Sequence, residues 1–376
     1  MAASYAWHPG SGSVNSRWPV SVPLLPDEIV SSWLVRAALA QGCDPLVLTG
    51  KVWPKWRIWT HDADRLHSDD RLEPLVPLSG ITKKILGAAS LYPIASRIYG
   101  DIPPEKAVWS WMLATGAINT KRHGSIQYCP SCLADDGKPY FRIQWRFAWH
   151  TCCEKHGSVL RDRCHVCNAT VEFHRLQAED SDIAVCATCK ADLRNSSTNP
   201  GDADALALQK AADDALHHEH GFFHNQTITT QEWFELAGFF ISMLRRACRG
   251  GAGSMRDFLY RLGVQLPDGL PIASGGGIEM LRHDDRQKLL IPLWQIMISK
   301  REGFESVLLA SGLSLQGFSA EHGKLPMLLK KIASSLPDKH RPRPRKAAHA
   351  LSGPRPRHEV MRMMVRLQNK LRRLQR

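Results

Sequence analysis

The feature that most constrains this chain is a series of four cysteine and histidine pairs in its middle. The two members of each pair are separated by two residues, and all four pairs fall within about sixty residues. A two-residue gap lets a tight turn present both side chains to one ion, and Zn²⁺ accepts thiolate and imidazole ligands at neutral pH. The spacing therefore predicts two tetrahedral zinc sites. Their ligands would be Cys129, Cys132, Cys153 and His156 in the first site, and Cys164, Cys167, Cys186 and Cys189 in the second.

The spacing leaves one ligand of the first site open, because Cys152 is adjacent to Cys153. We prefer Cys153, since its separation from His156 matches that of the other pairs. The nearby histidines that could substitute are His150, His165 and His174. Each predicted site is saturated by four protein ligands, so it leaves no position for a water molecule. We therefore expect two structural ions rather than a catalytic one.

Disulfide bonds and inert buried thiols are the alternatives to metal binding. The first nine residues lack the basic and then apolar pattern of a signal peptide, and no stretch reaches the roughly 18 apolar residues of a membrane span. We therefore expect a cytoplasmic protein associated with the nucleoid. In a reducing compartment, clustered cysteines bind metal more often than they form disulfides.

The positive charge is concentrated at the C-terminal end. Residues 337–376 carry thirteen Lys and Arg against two acidic residues, which is a net +11 of the chain's +13. Such a segment favours a polyanion as partner, most simply DNA. The alternative is a solvated, disordered tail. The candidate nucleic-acid contacts are Arg341, Arg343, Arg345, Lys346, Arg355, Arg357, Arg362, Arg366, Arg372 and Arg373.

Helical periodicity outside the cysteine pairs predicts a mainly α fold with small zinc-ribbon or zinc-finger β elements. We predict a disordered segment at 1–18, a helical, helix-turn-helix-like domain at 19–124 and a double zinc-finger module at 125–195. A helical domain would follow at 203–336. The basic tail at 337–376 would include a short amphipathic helix, because Val360, Met364, Leu367, Leu371 and Leu374 recur at helical spacing.

The first helix is predicted to start at Asp27 as N-cap and to end at Gly42, with Arg36 as an exposed contact. Further helices are predicted at 81–90, 104–115, 204–217, 230–248, 254–262, 284–299 and 303–311. Basic residues lie between Trp53, Trp56 and Trp59, an arrangement that suits stacking on bases. Tryptophans are more often core or interface anchors, and we favour the core interpretation.

Several of these segments together resemble the TniQ family of bacterial transposition proteins, which includes TnsD-type target selectors. The opening Pro23-Leu-Leu-Pro26-Asp27-Glu28-Ile-Val-Ser31-Ser32-Trp33-Leu34-Val-Arg36 is like the family's first motif. The resemblance continues through Trp59-Thr-His-Asp62-Ala-Asp64-Arg65, Tyr128-Cys129-Pro130-Ser-Cys132-Leu133, Arg142-x2-Trp145, Cys153-Glu-Lys-His156-Gly157 and Leu160-x3-Cys164-x2-Cys167. It covers about residues 20–195. One departure is Cys152-Cys153 where the family usually has Cys-Pro, and this again concerns the third ligand.

The resemblance implies a non-enzymatic adaptor that helps to choose the insertion site of a transposon. Its partners would be DNA and an AAA+ ATPase regulator of the TniB or TnsC type, with the transposase engaged through that ATPase. The DNA-bound target of some relatives is an RNA-guided CRISPR effector complex, and some relatives act as homodimers. Helix-turn-helix elements accompany the zinc fingers in the family.

Two other functions fit the same residues. One is a zinc-finger DNA-binding regulator of transcription without ATPase partners, and the other is a zinc-dependent nucleic-acid enzyme. The sequence has no Ser/His/Asp arrangement, no phosphate-binding loop and no carboxylate set with convincing spacing for a nuclease. We therefore expect no catalytic residues.

Overall fold

The computed structural model describes residues 17–105, 108–115, 117–118, 121–122, 126–249, 253–267, 277–319 and 325–338. It also describes residues 357, 360, 361, 363–365, 367 and 368 of a C-terminal helical segment. The structure is mainly helical in these ranges and contains three two-stranded antiparallel sheets. The predicted mainly α fold with small β elements is therefore confirmed.

Between residues 17 and 338, the described part of the chain contains fourteen α-helices and six short strands, together with six short 3-10 helices. The first seven helices are α1 (Val30–Ala40), α2 (Pro45–Val52), α3 (Asp69–Leu72), α4 (Leu75–Ser79), α5 (Lys83–Ala88), α6 (Tyr92–Tyr99) and α7 (Pro130–Asp135). The others are α8 (Ala203–His217), α9 (Thr230–Arg249), α10 (Ser254–Arg261), α11 (His283–Met297), α12 (Arg301–Ala310), α13 (Leu315–Ser319) and α14 (Met327–Ala333). The strands pair as β1 (Ala117–Ile118) with β2 (Lys121–Arg122), β3 (Cys152–Cys153) with β4 (Ser158–Val159), and β5 (His220–Phe223) with β6 (Gln226–Thr229).

The start of α1 differs from the prediction. Asp27 has a φ of 55° and is not the N-cap, a position that Ile29 occupies without a side-chain hydrogen bond. The backbone N–H of Ser31, in the first turn, donates instead to the Asp64 carboxylate at 2.9 Å. A cap from a residue 33 positions away is invisible to a local sequence signal. The end of α1 is as predicted, because Gly42 takes the left-handed φ of 69° that glycine adopts readily.

Arg36 is not the exposed contact that its place on the helical wheel suggested. Its side chain is only 9% exposed and pairs with Glu28 at 2.5 Å. Ser32 donates to the same carboxylate at 2.8 Å and accepts the backbone N–H of Phe141 at 2.9 Å. Burial raises the pKa of Glu28, and Arg36 opposes that rise. The residues of the opening motif therefore attach α1 to the segment that carries the first metal-site candidate.

The three tryptophans of the segment after α2 belong to the protein interior, as favoured from the sequence. Trp53 is buried, and Trp56 and Trp59 are half-buried against the same apolar cluster around α1. Trp59 also stacks on His174 with ring centroids 5.0 Å apart.

The predicted helix at 104–115 is wrong for the residues described there. Trp109 and Trp111 are both buried, and Trp111 has a φ of 67°, which a helix cannot contain. The Leu113 N–H donates to Arg146 O, and the Ala148 N–H donates to Trp111 O, each at 2.8 Å. Hydrogen bonds to residues 146–148 satisfy backbone groups of this segment. Its apolar side chains are therefore buried without the segment forming an amphipathic helix.

All five helices predicted after residue 203 are present, as α8 to α12. Helices α8, α9 and α11 pack against one another, and one continuous apolar core extends from Ile29 to Leu336. Trp149, which lies between the cysteine pairs, joins this core through edge contacts with Trp111 and Phe234. The cysteine-rich middle and the C-terminal helices therefore share a core.

Arg286 of α11 fastens the same junction with hydrogen bonds. Its buried guanidinium donates to Ala148 O at 2.9 Å, to His150 O at 3.3 Å and to Gln127 Oε1 at 2.8 Å. Burial lowers the pKa of Arg286 to about 10. The carbonyls that it contacts belong to the loop between the two ligand pairs of the first site.

Candidate metal centres

The first predicted ligand set comes together in space. Cys129 immediately precedes α7, Cys132 lies in its first turn, and Cys153 ends β3, while His156 lies in the turn before β4. Their Sγ and ring nitrogen atoms lie within 4.8 Å of one another. His156 Nδ1 is 3.4 Å from Cys129 Sγ, 3.3 Å from Cys132 Sγ and 3.5 Å from Cys153 Sγ.

These distances fit a tetrahedral metal ion at the centre of the cluster. With Zn–S bonds of about 2.3 Å, neighbouring sulfurs of a tetrahedron lie about 3.8 Å apart. Cys132 Sγ and Cys153 Sγ are 3.6 Å apart, which is close to that edge and far beyond a disulfide bond of about 2 Å. The group could therefore hold a metal ion, and its donors are those that Zn²⁺ prefers.

The thiols of this cluster cannot all ionise easily without a cation. Hydrogen bonds to the Cys129 and Cys153 sulfurs, together with burial, raise the pKa of Cys132. Contacts with Cys132 and Cys153 in turn lower the pKa of Cys129. A bound divalent cation would remove this competition, because metal binding deprotonates all the thiols that ligate it.

Asp135 orients the histidine of the first set. His156 Nε2 lies 3.0 Å from Asp135 Oδ2, and Lys155 donates to the same oxygen at 2.7 Å. A carboxylate on the far nitrogen fixes the tautomer in which the near nitrogen can bind a metal. Asp135 ends α7, the helix that carries Cys132, so one helix supplies both a ligand and the group that orients another.

The second set also comes together, with its four Sγ atoms within 4.8 Å of one another. Cys164 Sγ lies 3.6 Å from Cys189 Sγ, and Cys167 Sγ lies 3.7 Å from Cys186 Sγ. Cys164 and Cys186 are buried, whereas Cys167 and Cys189 are exposed. The second set is thus more open to solvent than the first.

The two halves of the second set are built by the same turn. Asn168 and Lys190 follow the second cysteine of each half with left-handed φ values of 57° and 61°. The N–H of Cys164 donates to Ala169 O at 2.9 Å, and the N–H of Cys186 donates to Ala191 O at 2.8 Å. The repeated Cys-x2-Cys-x-Ala pattern, which spacing alone did not single out, is the sequence signal for this paired turn.

Cys152 lies outside both clusters. Its sulfur is buried beside Gly201, and its nearest side-chain partner is Thr151 Oγ1 at 3.9 Å. The three histidines that could have substituted are engaged elsewhere. His150 lies 2.9 Å from an Asp213 oxygen, His165 lies 2.9 Å from Ser196 Oγ, and His174 stacks on Trp59.

We expect Cys153→Ser to lose one zinc ion per chain and Cys152→Ser to lose none. The physical reason is that Cys153 Sγ lies 3.6 Å from Cys132 Sγ, whereas Cys152 Sγ has no contact with the cluster among the described residues. The measurement is zinc content by atomic spectrometry after gel filtration of both variants. Loss of zinc from Cys152→Ser alone would reverse the assignment.

The basic tail is not brought to either centre in the part of the chain that the structure describes. Of its ten candidate contacts only Arg357 is described, and it is exposed in a helical segment. The other nine lie outside the described residues: Arg341, Arg343, Arg345, Lys346, Arg355, Arg362, Arg366, Arg372 and Arg373.

A buried ion-pair network, which the sequence reasoning missed, connects the N-terminal helices to the first centre. Arg146 lies in the loop between Cys132 and Cys153, and its side chain is 2% exposed. It donates to both oxygens of Asp62, at 3.0 Å and 2.8 Å, and forms a second ion pair with Asp64. It also donates to Leu113 O at 2.8 Å. Asp64 in turn accepts the N–H of Ser31 at the start of α1.

Burial and charge act in opposite directions in this network. Burial alone would lower the pKa of Arg146, but Asp62 and Asp64 outweigh it and raise that pKa. Burial also raises the pKa of Asp64, although Arg146 opposes the rise. The Asp-x-Asp pattern quoted from the sequence was the available signal, but its arginine partner is 82 residues away.

These features define a mainly helical protein with two four-residue Cys/His clusters that could each hold a metal ion. Residues 19–160 match the model of the TniQ family, and this segment is therefore a TniQ domain. The match confirms the resemblance seen in the sequence and implies a role in transposition and target selection. No curated protein matches the chain. No helix in the described residues is long and apolar enough to cross a membrane.

Proposed function

We propose that this chain is a non-enzymatic adaptor that selects the target of a transposon. It would bind target DNA, or a DNA-bound targeting complex such as a CRISPR effector, and recruit an AAA+ ATPase regulator of the TniB or TnsC type. The transposase would be engaged through that ATPase. The observation that carries the proposal is the match of residues 19–160 to the TniQ family model. A homodimer, and a helix-turn-helix role for part of 19–124, belong to the proposal as well.

Two structural Zn²⁺ ions are part of this proposal. Each cluster supplies four ligand atoms, so a tetrahedral ion would have no free position for water or substrate. When bound, the ions would crosslink loops that have few strands and helices of their own. The residues around them would fix ligand orientation, as Asp135 does for His156, rather than take part in a reaction.

The basic tail is proposed as a non-specific DNA contact. Deleting 337–376 is expected to lower the affinity for duplex DNA and flatten its dependence on salt, since each lost phosphate contact reduces the logarithmic slope by about 0.9. The slope would be measured by fluorescence anisotropy at several salt concentrations. An unchanged slope would show that the tail makes no phosphate contact.

The adaptor role is tested by co-purification of the full chain with an AAA+ ATPase of the TniB or TnsC type, with and without target DNA. We expect a complex that survives gel filtration and is strengthened by DNA, and an unrelated AAA+ ATPase as control should not co-elute. A chain that binds duplex DNA but never retains the ATPase would instead be a DNA-binding regulator of transcription.

A further inference from the structure

A small cleft beside the second cysteine cluster is lined by three arginines. Arg161 and Arg163 lie just before Cys164, and Arg282 lies at the N-cap of α11. The cleft has a volume of about 330 Å³ and is also lined by the polar side chains of His165, Asn168 and Asn199. The cleft therefore lies between the second cluster and the start of α11. Its surface is rich in hydrogen-bond donors.

The three arginines of the cleft differ in their partners from the other arginines of the cysteine-rich middle. The other four arginines between 126 and 195 all form ion pairs with carboxylates: Arg142, Arg146, Arg175 and Arg194. Arg161, Arg163 and Arg282 form no ion pair with a carboxylate in the described part of the chain. A guanidinium kept without a carboxylate partner retains its capacity to bind an external anion.

The hydrogen bonds of the three arginines leave donors free. Arg161 uses Nε and Nη2 on Ser197, at 2.8 Å and 2.7 Å. Arg163 uses Nη1 on Asn168 O at 2.9 Å, and its Nε is buried without a partner. Arg161 Nη1, Arg163 Nη2 and the Arg282 guanidinium make no hydrogen bond within the described residues, so they could donate to an incoming acceptor oxygen.

Both carboxylates of the cleft interact with His283. Asp162 is buried and accepts the backbone N–H of His283 at 3.2 Å, and Asp284 lies 3.4 Å from His283 Nδ1. Three arginines against two carboxylates leave the cleft with a formal excess of positive charge.

We propose that this cleft binds a backbone phosphate of duplex DNA through Arg161, Arg163 and Arg282. The inference rests on the proposed DNA-binding role and assigns it a site outside the basic tail. Guanidinium groups suit phosphate because their N–H donors match its oxygens in pairs. A phosphate contact carries no sequence information, so it would position the second cluster on any duplex and leave target choice to other surfaces.

The test compares two double variants of the full, zinc-loaded chain that lose the same charge. Arg163→Gln with Arg282→Gln removes two cleft arginines, whereas Arg256→Gln with Lys300→Gln removes two exposed cations on α10 and before α12. Affinity for two unrelated duplexes is measured by anisotropy between about 50 and 200 mM salt. We expect the cleft variant to lose about 0.9 from the salt slope on both duplexes, as for one phosphate contact, and the control variant to keep the wild-type slope.

Zinc content and a charge-retaining variant keep this test decisive. Arg163→Lys with Arg282→Lys should retain most of the slope and both zinc ions. If the cleft variant loses zinc but keeps the wild-type slope, the arginines only offset thiolate charge and the proposal is overturned. Equal slopes for the cleft and control variants overturn it as well, and so does a wild-type chain that binds no duplex. If either of the first two results is obtained and the chain still forms the ATPase complex, the phosphate site is refuted and the proposed adaptor function is not.

Discussion

Removal of zinc is expected to unfold the middle of the chain cooperatively. Structural Zn²⁺ contributes about 10–16 kcal/mol in zinc-finger peptides, whereas a whole domain is stable by only about 5–15 kcal/mol. The described strands between 126 and 195 are two residues long, and the longest helix there, α7, has six residues. Such short elements have few backbone hydrogen bonds of their own, so we expect the position of the loops between them, and of the apolar side chains they add to the shared core, to depend on the crosslinks.

The effect should reach the C-terminal helices through the shared core. Trp149 and Phe147 lie in the loop closed by the first cluster, and both belong to the apolar core that contains α8, α9 and α11. Arg286 would lose its acceptors at Ala148, His150 and Gln127 and remain a buried cation without partners. We therefore expect loss of tertiary signal in the C-terminal half, with its helix content reduced less.

Limited proteolysis after chelation, with cleavage sites mapped by mass spectrometry, measures this directly. We expect new cleavage throughout 126–195. Adding Zn²⁺ should restore protection, whereas adding Mg²⁺ should not, because Mg²⁺ disfavours thiolate ligands. Undiminished protection of 126–195 after complete removal of metal would contradict a structural role for the ions.

Replacing Arg146 is expected to destabilise the fold by about 3–5 kcal/mol, because it removes the ion-pair partner of the buried Asp64 carboxylate. In Arg146→Met, both oxygens of Asp62 and one of Asp64 would each lose one donor. Asp64 also accepts the N–H of Ser31 at the start of α1. The substitution should therefore weaken the connection between the N-terminal helices and the first cluster. Chemical denaturation, followed by tryptophan fluorescence, gives the free energy of unfolding.

The destabilisation should grow as pH rises. Burial raises the pKa of Asp64 above its ordinary value, and Arg146 is the group that opposes the rise. Without the arginine, the folded state would bind more protons than the unfolded state from the ordinary carboxyl pKa up to the raised one. Stability is then lost as pH increases through that range. The variant should therefore differ from wild type less at pH 5 than at pH 8.

Two further variants separate charge from packing. Adding Asp62→Asn and Asp64→Asn to Arg146→Met removes the unpaired charges and should restore at least half of the lost stability. Arg194→Met breaks a partly exposed pair with Asp182 and Asp192 and should cost no more than about 1 kcal/mol. Equal losses for Arg146→Met and Arg194→Met would show that the buried network is not important for stability.

Local patterns predicted those parts of the molecule that are built locally. The two-residue gaps divide the eight candidate ligands into the same two groups that the structure brings together, because a tight turn is decided by adjacent residues. The helices after residue 203 followed their apolar periodicity for the same reason. Even the preference for Cys153 over Cys152 came from spacing, and the structure places Cys153 in the cluster.

Patterns failed where long-range contacts replace local ones. Asp27 has the right chemistry for an N-cap, but the N–H of Ser31 in the first turn of α1 donates to Asp64 instead. The prolines at 103 and 104 suggested a helix start, whereas Leu113 N–H and Trp111 O pair with residues 146 and 148. Arg146 carries no signal of its own, since a lone arginine in a sequence can be exposed or buried and only its distant carboxylates decide.

The central claim, two closed four-ligand zinc centres, is tested most directly by the metal content of the purified wild-type chain. Protein prepared without added metal is passed through gel filtration and measured by atomic spectrometry against an amino-acid analysis. We expect two zinc ions per chain, one for each of the two separate ligand groups. A chain that is folded by circular dichroism yet contains no zinc or other metal would contradict it.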